Sequence, residues 1–285
     1  MFRCVSLGAI GVGVPYEEGL ALAPQGHFQG IEVGIDDMAR RIEETSAEAV
    51  KEQLQQAGLR PGGWGLPTNW RGDEAAFQED LKKLPRLGKA AQQLDCLRAS
   101  TWVLSFSDTL PFQEHFSMLE TRFRAIGEIL KDYGVSVGLE FLGPKTMWGA
   151  HKYEFIHTLG GMLELADAIG TGNIGLLLDC WHWYTSGGTV EELHALRPEQ
   201  VVYVHVNDAP AGVPLEEHVD NVRGLPGETG VINITGFLKA LQAIGYEGPV
   251  TPEPFSSRLK GLSPEDAVRL TGDSLMKVWT AAGLS

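Results

Sequence analysis

Short apolar runs rich in β-branched and aromatic residues alternate along the chain with longer segments of helical apolar spacing, separated by loops rich in Gly, Pro or Trp. Eight such units can be counted. The pattern predicts strands over Arg3–Leu7, Gly30–Ile35, Arg60–Leu66, Leu97–Leu104, Ser136–Phe141, Ile174–Asp179, Val201–Asn207 and Val250–Glu253. It predicts helices near 17–25, 46–57, 74–93, 113–132, 154–169, 189–195, 233–243 and 264–281. Helix punctuation agrees in places. Thr45-Ser46-Ala47-Glu48 reads as a cap region, and Ser263-Pro264-Glu265-Asp266 puts proline just inside a helix start. Val137–Leu142, apart from Glu140, and Gly175–Leu178 are apolar instead of alternating, which suits strands covered on both faces.

Eight β/α units in 285 residues imply an α/β fold of one domain spanning 1–285, a (β/α)₈ TIM barrel. Parallel crossovers repeat, and barrel closure removes the sheet edges. A doubly wound open sheet is the other arrangement these units allow. The longest loop, Ala209 to Val231, lies between the seventh strand and its helix, where a lid would sit.

Four of the apolar runs end in a metal-ligand side chain: Glu140, Asp179, His205 and Glu253, on strands five to eight. In this barrel class the chemistry gathers at the C-terminal ends of the strands. A single carboxylate there reads as a helix cap or salt-bridge partner. Four such groups on successive strands, each preceded by buried apolar residues, need shared compensation. One divalent metal ion supplies it, and three oxygens with one nitrogen suit Mn²⁺, Mg²⁺, Co²⁺ or Zn²⁺. Cys180 follows Asp179 directly, and alternation turns it to the opposite side as a buried thiol.

Around this set lie candidate substrate contacts. His182, three residues after Asp179, turns back over the strand mouth beside the metal. Trp181, Trp183, Trp148, Trp64 and Trp102 are placed to line a pocket and stack on sugar rings, although core packing accounts for each equally well. Arg223 in the long loop suits a substrate hydroxyl, carboxylate or phosphate, and Lys145, just beyond Glu140, is a similar candidate. Glu32 also ends a strand and is a further candidate contact.

Composition narrows the partners. A formal net charge of −14, with no basic run, disfavours a phosphate backbone, so nucleic acid is not expected. Three widely spaced cysteines argue against both a disulfide framework and a zinc ribbon, and a cytoplasmic location is expected. The apolar stretch from Cys4 to Val14 has one Arg before it and no A-x-A-like cleavage site after it, so it reads as a first strand. No apolar segment approaches the roughly 18–20 residues that span a bilayer, and no membrane partner is expected. A small-molecule partner is expected, with self-association into a homo-oligomer allowed.

Glu140 in LEFLGP, Asp179-x-x-His182 in LLLDCWHWY, His205 in VHVNDA and Glu253 in TPEP resemble the xylose isomerase-like (β/α)₈ superfamily over nearly the whole chain. Within it the chain is similar to the sugar phosphate isomerase/epimerase group, with inosose isomerases and dehydratases, ketose 3-epimerases and, more distantly, endonuclease IV. The resemblance implies that Glu140, Asp179, His205 and Glu253 hold the metal and that His182 contacts substrate. It implies an isomerase or epimerase of a small-molecule sugar or cyclitol working through a metal-stabilised enediolate, with Glu140 and Glu253 as the catalytic acid/base pair. An inosose dehydratase-type lyase is the alternative. Endonuclease IV-type sites use further histidines from strands two and three, and 30–37 and 60–70 contain none. The epimerase branch places an Arg shortly after the histidine of strand seven; Asn207 to Ala211 has none, and Arg223 is the candidate substitute.

Overall fold

The computed structural model describes residues 1–285 and contains eight parallel barrel strands. We number them β1 (Phe2–Val5), β2 (Gly30–Ile31), β3 (Arg60–Pro61 continuing as Trp64–Gly65), β4 (Arg98–Val103), β5 (Ser136–Phe141), β6 (Ile174–Asp179), β7 (Val201–Val206) and β8 (Pro249–Pro252). Each pairs with its sequence neighbours, and β8 returns to pair with β1, which excludes the open sheet. A minor antiparallel pair, Phe106–Ser107 with Tyr153–Glu154, lies outside the barrel sheet.

The break in β3 has a steric cause. A Cβ on Gly62 would lie 2.2 Å from Cys4 Sγ, and one on Gly63 would lie 2.6 Å from the Tyr203 ring. Tyr203 therefore fills the barrel interior because two successive glycines let the backbone come close. Its hydroxyl shares a 2.8 Å hydrogen bond with Thr251 Oγ1 on β8. Two positions further along β7, the same inward face presents His205.

The expected strands are all present, with β5 and β6 at the expected bounds and the first-half strands shorter. The helices differ more. The reading near 154–169 begins late, at Leu159, since Tyr153–Glu154 is strand. The helix near 74–93 is two helices, Glu74–Leu81 and Leu84–Leu94, with Pro85 in the first turn of the second. Ile35–Glu44 is an additional helix whose buried face carries Ile35, Met38 and Ala39. Ser46 and Ser263 cap their helices as expected, accepting from Ala49 N and Asp266 N.

Candidate metal centre

Strands β5 to β8 bring Glu140, Asp179, His205 and Glu253 to one point. One donor atom from each lies within 4.8 Å of the others. Four donors bonded to a single ion at about 2.1 Å would span roughly 4.2 Å at most, so the set is nearly of coordinating size. Register produces the meeting: His205 sits opposite Asp179 on β6 and Thr251 on β8, two residues before Glu253. His205 Nδ1 lies 3.6 Å from Glu140 Oε1 and 3.5 Å from Glu253 Oε2, and neither Nδ1 nor Glu140 Oε1 has a hydrogen-bond partner although both are buried. Orphaned polar atoms of this kind, aimed at one another across a small gap, fit a dication between them.

The electrostatics divide the two glutamates. Burial, reinforced by Glu253 and Asp179, pushes the Glu140 carboxyl up to about 8 against the pull of His205. Burial also opposes ionisation of Glu253, but His205 and then Arg223 outweigh it and hold this carboxyl below the usual range. Burial works against the His205 imidazolium, yet Glu253 and Glu140 raise it well above its ordinary value. His182 is held neutral down to about 3, by burial first and by Arg223 second.

Asp179 has a second task. Its Oδ1 accepts from Trp181 N at 2.8 Å, capping the short helix Cys180–Thr185, and from Asn207 Nδ2 at 3.0 Å. That helix lifts His182 beside the centre, where its Nδ1 accepts from Gly143 N at 3.1 Å and its Nε2 lies 3.2 Å from Arg223 Nη2. Cys180 points away from the donor cluster, against Asn207, and burial keeps it a thiol.

Arg223 is 6% exposed and reaches in from the long loop. Its Nη1 donates to Asp179 Oδ2 at 2.7 Å and to Glu253 Oε2 at 2.9 Å, and its Nη2 to Asp220 Oδ1 at 2.7 Å. The guanidinium lies between the rings of Trp181 and Phe255, at 5.3 and 4.8 Å. Trp181 is thus beneath the arginine and fully buried.

Two expected substrate contacts are elsewhere. Trp64 is fully buried and its indole N–H donates to Cys96 O at 3.0 Å, so it is core. Lys145 forms a 2.7 Å ion pair with Glu216 and, with Thr146 Oγ1 donating to His218 O, fastens the long loop to the end of β5. Trp183 packs on Phe237 and Trp148 on His157, while Trp102 is 41% exposed beneath the Arg71 guanidinium. Glu32 is partly buried, and burial raises its carboxyl against the influence of His205. Unforeseen from sequence are Asp220, which orients Arg223, and Phe255, held at φ +39° two residues beyond Glu253.

No helix is long and apolar enough to cross a membrane. The inosose isomerase of Halalkalibacterium halodurans is 29% identical over 245 residues, covering 86% of this chain and 84% of that protein. A xylose isomerase domain protein from Alicyclobacillus acidocaldarius superposes with a TM-score of 0.88 at 30% identity over 99% of both chains. The IOLI protein, solved with a bound zinc atom, superposes at 0.79 with 20% identity over 99% of both. The family model for the xylose isomerase-like TIM barrel matches residues 21–277, and this chain belongs to that family.

Proposed function

We propose that the chain is a divalent-metal-dependent isomerase or epimerase of a sugar or cyclitol, with Glu140 and Glu253 as its proton-transfer pair. The observation that carries this reading is geometric: Glu140, Asp179, His205 and Glu253 converge with one donor atom of each within 4.8 Å of the others. Without an ion, burial raises the Glu140 carboxyl while His205 and Arg223 hold that of Glu253 low. A pair whose environments push its members apart supplies an acid and a base together. The likeness to an inosose isomerase over most of both chains supports the substrate class.

Glu140, Asp179, His205 and Glu253 would hold the ion. Bound there, a dication would polarise a carbonyl and the neighbouring hydroxyl, acidifying the C–H between them. Glu253 takes that proton, and Glu140 returns one to the opposite face or to the adjacent carbon. Arg223 keeps Glu253 ionised and oriented through its 2.9 Å bond. His182, neutral and anchored by Gly143 N, presents Nε2 towards the site. The IOLI protein binds zinc, which makes Zn²⁺ one of the ions to try beside Mn²⁺, Mg²⁺ and Co²⁺.

The test is deuterium wash-in from D₂O over a panel of inososes, ketoses and their phosphates, with each ion in turn. Incorporation into a product of unchanged mass, apart from the label, is expected. Exchange that persists unaltered in Glu140→Gln overturns the acid/base pair. A product lighter by one water identifies a dehydratase instead.

A further inference from the structure

The excursion from β7 to the helix Ile234–Ala243 begins and ends at one side chain. Asp208 is fully buried, and its carboxylate accepts four backbone N–H groups. Ala209 and Ile232 donate to Oδ1 at 2.9 and 3.0 Å, and Thr229 and Gly230 to Oδ2 at 2.9 and 2.7 Å. Amide dipoles thus balance its charge, and the outgoing and returning chain are tied together. Thr229 Oγ1 adds a 2.6 Å bond to Ala209 O.

The same residue holds the middle of the excursion through its backbone. Asp208 N donates to Gly224 O at 3.0 Å, and Gly224 N donates to Asp208 O at 2.7 Å. Gly224 follows Arg223 directly, and Asp208 lies three residues past His205. The two-way bridge therefore sets the Arg223 backbone against the end of β7, at the distance from which its guanidinium spans Asp179 and Glu253. Lys145 and Thr146 fasten the far side of the loop, but they grip Glu216 and His218 and leave the Arg223 end to Asp208.

We propose that Asp208 is a positioning residue that acts through Arg223: by clamping both ends of the loop it fixes the guanidinium over two members of the metal-ligand set. In Asp208→Asn the amide offers a single carbonyl oxygen, so two of the four N–H donors face an NH₂ group. The loop loosens and Arg223 withdraws from Asp179 and Glu253. Asp208 itself need touch neither metal nor substrate.

The test is a double-mutant cycle on the full chain, read by Mn²⁺ titration calorimetry and by hydrogen exchange. Arg223→Ala removes a positive charge beside the ion and tightens Mn²⁺ binding by about tenfold. Asp208→Asn tightens it by several-fold in the parent chain and by less than about twofold in the Arg223→Ala background. Equal shifts in both backgrounds, or none in the parent, overturn the proposal. If Asp208→Asn does not fold, Thr229→Val, which removes the hydroxyl's bonds to Ala209 O and from Val231 N, replaces it in the same cycle with a smaller shift. The affinity readout rests on the metal-centre reading, and a parent chain that binds no Mn²⁺ fails that reading alone. Hydrogen exchange then decides: faster exchange at Arg223 and Gly224 in Asp208→Asn supports the clamp, and unchanged exchange there overturns it.

Discussion

Two halves of one barrel send strand ends to the same mouth, and they are built differently. In the second half, β5, β6 and β7 are six-residue strands, almost wholly buried, each ending at or beside a candidate ligand. In the first half, β2 has two residues and β3 is two such pieces separated by Gly62-Gly63. A long buried strand paired on both sides leaves a side chain at its end little freedom, which is what a coordinating group needs. The short β2 and the glycine-broken β3 close the barrel around Tyr203, and Glu32 directly follows β2. Three of the four candidate ligands thus ride on the long strands, and the fourth, Glu253, follows the four-residue β8.

The sharpest way to break this contrast is to remove one carboxylate from each half. Glu140→Gln in the second half should lower solvent-proton exchange at the substrate carbon by on the order of 10³-fold, as loss of a positioned acid/base group does. Glu32→Gln in the first half should cost about tenfold or less, by altering the field at His205 and Glu253 without removing a proton carrier. Comparable losses in the two variants would show that the first half carries chemistry as well as closure.

Metal removal separates the halves next. With free ion at about a hundred times its Kd, binding adds about 2.7 kcal/mol, so EDTA should lower the Tm by roughly 5 °C. His205→Ala should abolish that difference. Trp64→Phe, which loses the indole bond to Cys96 O and part of a buried ring but no donor of the cluster, should keep it. Calorimetric melts with and without EDTA check all three chains.

The cluster of candidate ligands was legible because each member closes an apolar run, and an uncompensated charge there is costly. The bounds of β5 and β6 were legible for the same reason. What the sequence concealed depends on partners far along the chain. Lys145 meets Glu216 and Trp64 meets Cys96 O, and neither pairing leaves a local trace. Arg223 finds Asp179 and Glu253 44 and 30 residues away, so its placement over the centre needed the fold. The helix Ile35–Glu44 carries an apolar stripe at Ile35, Met38 and Ala39, but Ile35 also extends the β-like run Gly30–Ile35 and the shorter pattern prevailed. The helix Cys180–Thr185 was hidden because its N-cap is a ligand, Asp179.

Packing offers a smaller effect. Gly63→Ala would set a Cβ 2.6 Å from the Tyr203 ring and 2.8 Å from Arg98 O. Because one obstacle is backbone, relief requires β3 to shift, and about 1–3 kcal/mol of stability should be lost in urea unfolding. Mn²⁺ affinity should stay within about twofold of the parent value if β3 takes up the shift, because β3 pairs with β2 and β4 and not with the strands of the candidate ligands. A large fall in affinity would mean that the halves are mechanically coupled.

The smallest effect is in the pH dependence of the metal-free chain, where the halves have opposite signs. His205 is raised by Glu253 and Glu140 against its burial, so the folded chain holds a proton that the unfolded chain releases near 6.5. Its contribution is full below that pH and is lost as pH rises through the folded value. Glu140, raised to about 8 by burial, acts in the same direction between its ordinary value of 4.5 and 8. His115, on the helix after β4, is buried against Phe155 at 4.2 Å between ring centres, and burial lowers its pKa. Here the unfolded chain binds the extra proton, so stability is lost as pH falls through 6.5 towards the folded value. In EDTA, His115→Phe should therefore remove a loss at the acid side of no more than about 1 kcal/mol and steepen the net decline from pH 5 to 8. Denaturant midpoints at half-unit pH steps measure it, and an unchanged slope would show that His115 titrates as freely folded as unfolded.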